Sequence, residues 1–327
     1  MTASELTTAR TKTSTLKKRH RSLWKKMSVQ WDLQLMVFPA IALILIFNYF
    51  PMFGLVSAFQ DYNPFKGYFG SPFVGFKHFI RFLDNPDLAL ILRNTICISL
   101  LKLLIAFPAP IVLALMLNEV NHMGFKRVVQ TITYLPHFLS WVIVGGFVMS
   151  LLAVDGGSVN MLLVKLNLID EPVNWLSIPE YFWGILIGTS VWKEIGFGSI
   201  VYLAAIAGIN PQLYEAASVD GASRFKQIFL VTLPIIAPVI TIFLILAVGN
   251  LLNAGFEDIL VLTNNLNNAI VSDYSTVIDT YVYQSAFKGF SQYSYAAAVG
   301  LFKSVINIGL LLGANYLAGK FRQESLF

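Results

Sequence analysis

The 327-residue chain is short of cysteine, of charge and of histidine, and each shortage removes a class of function. Cys97 is its single cysteine, which rules out an intrachain disulfide and a cysteine-based zinc cluster. Only 13% of residues are charged while 56% are hydrophobic, the composition of a membrane protein rather than a soluble domain. The four histidines, His20, His78, His122 and His137, are scattered and form no HExxH pair, and no GxSxG elbow is present. A phosphate-cradling loop needs Gly, four residues, then Gly-Lys-Ser/Thr. The nearest approach, Gly313 with Gly319-Lys320-Phe321, has the wrong spacing and lacks the hydroxyl. No catalytic residue, metal site or cofactor of its own is therefore expected, and any ATP would be bound by a partner.

Apolar runs are what the chain has in plenty. A helix needs about 20 apolar residues to cross roughly 30 Å of hydrocarbon. Six runs qualify, at roughly 33–59, 95–117, 128–152, 183–209, 235–255 and 294–318. Helices are expected because an open sheet edge has no partners in lipid. Charge sets the orientation. Residues 1–31 carry eight of the 23 Lys and Arg, and a basic arm before an apolar span reads as a cytoplasmic flank near anionic lipid rather than a nucleic-acid arm. The arm is long and no small-residue cleavage site follows, which speaks against a cleavable signal peptide. With the arm inside, inner segments hold fourteen Lys and Arg against six outside, and the outer ones hold eleven of the 18 acids. The expected layout is a flexible basic arm over 1–31, a transmembrane domain over 32–320 and a short cytoplasmic tail over 321–327.

The outer segment 61–75 is turn-rich, and 76–83 aligns Phe76, Phe79, Ile80 and Leu83 on one helical face suited to the interface. Tyr274, Tyr281, Tyr283, Tyr293 and Tyr295 read as an interfacial belt, with contact to a docked protein as the alternative. Charges inside spans are costly and tend to face a bundle interior. Lys102 and Lys303 fit either a place beside a polar translocation path or side chains that snorkel, with snorkelling the favoured reading. Trp192, Lys193 and Glu194 suit a polar path, an aromatic ring beside hydrogen-bonding groups, with Lys193 and Glu194 satisfying other helices as the plainer alternative. Asn250, Asn253 and Glu257 recur at intervals of three and four, so the spacing predicts one helical face lining the same path, with interhelical hydrogen bonding as the plainer alternative.

The stretch 211–234, "PQLYEAASVDGASRFKQIFLVTLP", is polar between two greasy runs. Asn210-Pro211 reads as N-cap and first helical residue, Asp220-Gly221 as a break, and Ser223 as the cap of a second helix running into the fifth span. A small-surfaced helix on the inner side fits docking into a cleft on another protein. A plain solvated loop fits the pattern equally well.

This stretch resembles the EAA signature of permease subunits in binding-protein-dependent ABC importers: Glu-Ala-Ala, three residues, Gly, nine residues, Ile, one residue, Leu-Pro. Here Glu215-Ala216-Ala217, Gly221, Val231 and Leu233-Pro234 match it, with valine for the usual isoleucine. The segments 49–67, 134–141, 277–283 and 295–315 extend the resemblance to the branch handling complex oligosaccharides, such as aldouronate and alginate. The resemblance implies an all-α membrane protein of about six transmembrane helices with the type I ABC importer permease fold. Glu215, Ala216, Ala217, Asp220, Gly221, Ala222, Leu233 and Pro234 would then couple to an ATPase. It further implies a second homologous permease subunit, two ATP-binding subunits holding ATP and magnesium, an extracytoplasmic solute-binding protein and an oligosaccharide cargo. A secondary transporter or channel would leave 211–234 unexplained and would show paired broken helices. A membrane enzyme has no constellation to work with.

Overall fold

The computed structural model describes residues 31–288 and 292–320, so the basic arm up to residue 30 and the tail 321–327 lie outside the described residues. The chain divides into two units at Gly54/Leu55. In the first, α1 (Trp31–Ile44) runs through a π turn, Leu45–Tyr49, into the short helix Phe50–Met52. Its apolar sequence is long enough, with Phe53–Phe59, to cross a membrane.

The second unit is also helical, and among the described residues β structure is limited to an isolated bridge between Gln60 and Phe73. After the interfacial α2 (Lys77–Leu83) come α3 (Leu88–Leu101) and α4 (Pro108–Glu119), which form one span of 32 residues across a π turn at Lys102–Ala106. Next are α5 (Met123–Tyr134), α6 (Trp141–Leu151) and α7 (Ser158–Lys165), followed by the 29-residue α8 (Pro179–Ala207). The polar stretch forms α9 (Pro211–Val219) and α10 (Arg224–Gln227), and α10 continues into α11 (Leu233–Gly249) as a third long apolar span of this unit. Further helices are α12 (Glu257–Leu262), α13 (Ile278–Phe287) and α14 (Tyr293–Lys320), with the one-turn helix Ser272–Ser275 between α12 and α13.

Two expectations about spans are corrected. The run 128–152 is not one straight helix: α5, extended through Phe138, and α6 meet at 107°. Pro136 sits in a 3-10 turn, Leu139 is extended, and Ser140 caps α6 by accepting from the Ile143 amide at 3.4 Å. The run 235–255 stops at Gly249, where Asn250 takes a non-helical conformation.

Lipid-facing helices gain little from excluding water, so packing and hydrogen bonds must hold them together. Apolar side chains such as Val112, Met116, Leu230 and Leu312 point outward, as hydrocarbon would favour. Inside, α8 lies along α4 and crosses α5, and the crossing is so close that a Cβ on Gly196 would fall 2.0 Å from the Thr133 carbonyl oxygen. Three buried clusters organise the unit. Ile98, Phe182, Leu186 and Ile259 form one, and Phe82, Ile91, Ile278 and Val299 another. Ile111, Tyr202, Ile206 and Ile236 form the third, below the polar stretch. Between the first two, Asn94 donates to the carbonyls of Asp273 (3.0 Å) and Thr276 (2.9 Å), and the Ile278 amide donates to Thr95 Oγ1 (3.0 Å). These bonds clamp the 272–278 segment onto α3.

Several side chains differ from expectation. Tyr295 is 3% exposed and shares a hydrogen bond with Tyr281 at 2.9 Å, so this pair belongs to the packing rather than to a belt. Burial pushes the Tyr281 hydroxyl pKa up. Lys303 pairs with Asp279 on α13, and Lys102 with Asp258 on α12, so neither snorkels. On α2, Phe76, Ile80 and Leu83 are exposed, as an interfacial face requires, while His78 and Phe82 are buried.

Candidate functional site

Two regions carry functional geometry. The first is the polar stretch. Asn210 caps α9 by accepting from the Gln212 amide at 3.0 Å, and Pro211 fills the first helical position. The helix ends at Asp220, and the chain turns at Gly221 with φ +78. Left-handed backbone of this kind suits glycine because other residues bring a Cβ into conflict with it. The Ala222 amide donates to the Ala217 carbonyl at 2.9 Å, and Gln227 Nε2 reaches Ser218 Oγ (2.9 Å) and the Ala222 carbonyl (3.1 Å), which fixes the bend. Ser223 then caps α10.

Side-chain contacts tether the rod. Tyr214 hydrogen-bonds Thr232 at 2.9 Å, and Arg224 reaches Glu119 at the end of α4 at 3.4 Å. Leu233 packs against the third cluster and Pro234 opens α11. Glu215, Ala216, Asp220 and Gly221 are exposed, Ala217 and Ala222 half-buried, and Val219 is 88% exposed. The α9 surface thus presents small alanines, one open apolar side chain and a carboxylate.

The second region is a groove between α4, α8 and α11. A cavity of about 450 Å³ is lined by Phe107, Phe197, Tyr202, Phe243, Glu194 and Asn250, among others. Phe107, Ala247 and Asn250 also line an adjoining cavity of about 150 Å³, which adds Ser99, Lys102 and Asn253. Aromatic faces and a few convergent polar groups thus share one groove.

Not every residue assigned from sequence reaches it. Glu194, Asn250 and Asn253 line the groove. Asn250, Asn253 and Glu257 do not share a helical face, because α11 ends before Asn250 and α12 begins at Glu257. Asn253 instead donates to Asn250 across a turn at 2.9 Å, and Glu257 is exposed away from both cavities. Trp192 stacks on Phe147. Lys193 is 5% exposed and serves the kink between α5 and α6, donating to the His137 carbonyl at 2.8 Å. His137 lies 3.8 Å from the Phe197 ring, nearly parallel, and meets Glu194 at 2.7 Å. The groove wall is thereby tied to the bent pair. Phe107, Phe197, Tyr202 and Phe243 escaped sequence reasoning because apolar aromatics in spans are unremarkable until their rings converge.

A third, shallower cavity of about 640 Å³ lies between residues 61–65, α2 and the start of α14. There the Lys77 hydrogen bond at 2.7 Å holds the Asp61 carboxyl below the usual carboxylate range.

Comparison with known proteins adds to this geometry. The model of the family described as "Binding-protein-dependent transport system inner membrane component" matches residues 106–323. LplB of Bacillus subtilis strain 168 is 46% identical over 90% of this chain and 91% of its own length. The polygalacturonan/rhamnogalacturonan transport system permease protein YteP of the same organism is 45% identical over 95% of each. A crystal structure of a bacterial ABC transporter involved in the import of the acidic polysaccharide alginate contains a chain 41% identical to this one. It covers 92% of this chain and 99% of that one, with a TM-score of 0.83. A second structure, of the bacterial alginate ABC transporter in complex with alginate pentasaccharide-bound periplasmic protein, matches at 40% identity and a TM-score of 0.84, over 94% and 100%.

Proposed function

We propose, from the premise that this chain belongs to the family of binding-protein-dependent transport system inner membrane components, that it is the permease subunit of an ABC importer carrying an oligosaccharide across the cell membrane. The observation that carries this reading is the exposed, kinked α9–α10 unit: it sits on a chain that matches an alginate importer's subunit over nearly its full length. The cargo of that importer and of YteP makes an alginate- or pectin-like oligosaccharide the favoured class here. The termini and the 211–234 rod lie on the cytoplasmic side, as the excess of Lys and Arg argues.

In this mechanism ATP and magnesium act in two partner ATPase subunits, and a second permease completes the translocation path. An extracytoplasmic solute-binding protein delivers the sugar. ATP favours the closed ATPase pair, and only such differential binding can shift the permease between its inward- and outward-facing states. The rod is the point of entry for that stroke. From Arg224 to Gly249 the chain is one helical run of 26 residues, about 39 Å at 1.5 Å per residue, and it ends at the groove-lining Asn250. A displacement at the bend is thereby delivered to the polar groups of the path. An ATP-independent carrier gives this exposed rod nothing to do.

The test is ATP hydrolysis by the complex reconstituted in liposomes, with oligosaccharides presented on the cognate binding protein. Stimulation by one sugar class is expected. A purified complex that retains no ATPase, or whose hydrolysis ignores every delivered sugar, refutes the reading.

A further inference from the structure

Lys102 begins the π turn between α3 and α4, and its ammonium lies 2.5 Å from Asp258 Oδ2. Asp258 is held from other directions as well. The Ile259 amide donates to Oδ1 at 3.0 Å, and Ser190 Oγ, which donates to the Leu186 carbonyl at 2.9 Å, lies 3.4 Å from Oδ2. Gly255, at φ +114, presses against the pair so closely that a Cβ there would fall 2.3 Å from Asp258 Oδ1 and 2.6 Å from Lys102 Nζ. The two partners are not equally sealed: the Asp258 side chain is 3% exposed and that of Lys102 is 22%. The acid is the anchor, and the cation looks into the cavity of about 150 Å³.

That cavity holds unmet hydrogen-bonding capacity. An ammonium has three hydrogens, and among the described residues Asp258 is the one acceptor that Lys102 meets. Ser99, one helical turn earlier on the same face, is 5% exposed, and its hydroxyl has no partner. Buried polar groups are nearly always paired, so the unpartnered Ser99 hydroxyl beside Lys102 leaves this wall of the cavity with polar capacity to spare. A charged donor in a low-dielectric wall bonds an ionised acceptor more strongly than a neutral one. Asp258 keeps the Ile259 amide as donor, so the ammonium can be shared without stranding the acid.

We propose that Lys102, steadied by Asp258 and seconded by Ser99, selects a carboxylate on the sugar passing this cavity. The proposal rests on the importer reading above and names the class within it: acidic oligosaccharides, recognised inside the membrane as well as by the binding protein. The competing account makes the pair a strut between α3 and α12, since breaking a buried ion pair is costly whatever it binds.

The experiment uses the whole importer in proteoliposomes, with a polygalacturonate or alginate oligomer and its carboxyl-reduced counterpart as probes. The Lys102→Gln change is expected to lower uptake of the acidic probe at least about tenfold more than that of the neutral one. Lys102→Arg is expected to retain the preference, which the charge swap K102D/D258K is not expected to restore. Equal losses for both probes in Lys102→Gln, or recovery of acidic uptake in the swap, leave only a strut and overturn the proposal. Wild-type uptake confined to the neutral probe overturns it too, while the importer reading stands. Wild-type uptake of neither probe overturns the proposal, and the importer reading is then decided by the ATPase test above.

Discussion

Gly221 offers the cleanest test of the coupling rod, because its substitution changes the backbone and nothing else nearby. A Cβ built there meets nothing within 4 Å, so no clash contributes. The whole cost comes from φ +78, a conformation that costs a β-branched residue about 1–3 kcal/mol. Asparagine tolerates it far better. The bend is otherwise held by the Ala222–Ala217 backbone bond and the two Gln227 bonds, each worth about 1 kcal/mol net. A penalty of about 2 kcal/mol therefore competes directly with what holds the turn, and shifts the bent population by a factor of about 30. The rod is exposed and contributes no side chain to the three buried clusters beyond the half-buried Tyr214 and Leu233, so insertion is not affected. Gly221→Val is expected to abolish ATP-driven uptake in proteoliposomes and to reduce ATPase co-purification, at an unchanged membrane level of the chain. Gly221→Asn is expected to retain most of both. Normal uptake by the valine variant would show that the bend is not needed. Equal loss in both variants would show that side-chain bulk at the partner surface, not backbone, is what matters.

Asn250→Ala is expected to change sugar-stimulated ATP turnover severalfold, whereas Glu257→Gln, outside both cavities, is expected to leave it near wild type; the reverse order would move the path off the α4–α8–α11 groove. Gly196→Ala should destabilise the α5–α8 crossing by about 1–3 kcal/mol or more, since a Cβ would fall 2.0 Å from a backbone carbonyl. Thermal unfolding in detergent would report this as a lowered midpoint, and an unchanged midpoint would contradict the packing described.

The helical class and the number of apolar runs were legible because hydrocarbon thickness imposes a length on each of them. The α9–α10 bend was legible in more detail, since caps, a glycine break and a second cap are local signals: Asn210, Gly221 and Ser223 each act where spacing puts them. Hydropathy did not register the bend in 128–152. Apolar composition continues straight through Leu139 and Ser140, while the direction of the chain is decided by Pro136 and the Ser140 cap. The same blindness misjudged the end of the fifth span. An i, i+3, i+7 pattern assumes an unbroken helix, and Gly249 followed by Gly255 breaks it, leaving Asn250 and Asn253 in a turn and Glu257 on a new helix.

What no spacing rule recovers is partnership across the chain. Lys102 and Asp258 are separated by 156 residues, and each alone looks like a charge that must reach water. Only when the α3–α4 π turn and the post-α11 turn face one another does the cation acquire its anchor. The helix break that defeats the periodic reading is also the feature that makes this meeting possible. A continuous helix through 250–257 could not bring Gly255, at φ +114, flush against the ammonium. Broken backbone at membrane depth is tolerated where it lines a cavity or is buried in protein, and here it does both. The departures from helical regularity at Lys102–Ala106 and at 250–256 are thus where this chain's capacity for polar recognition within the membrane resides.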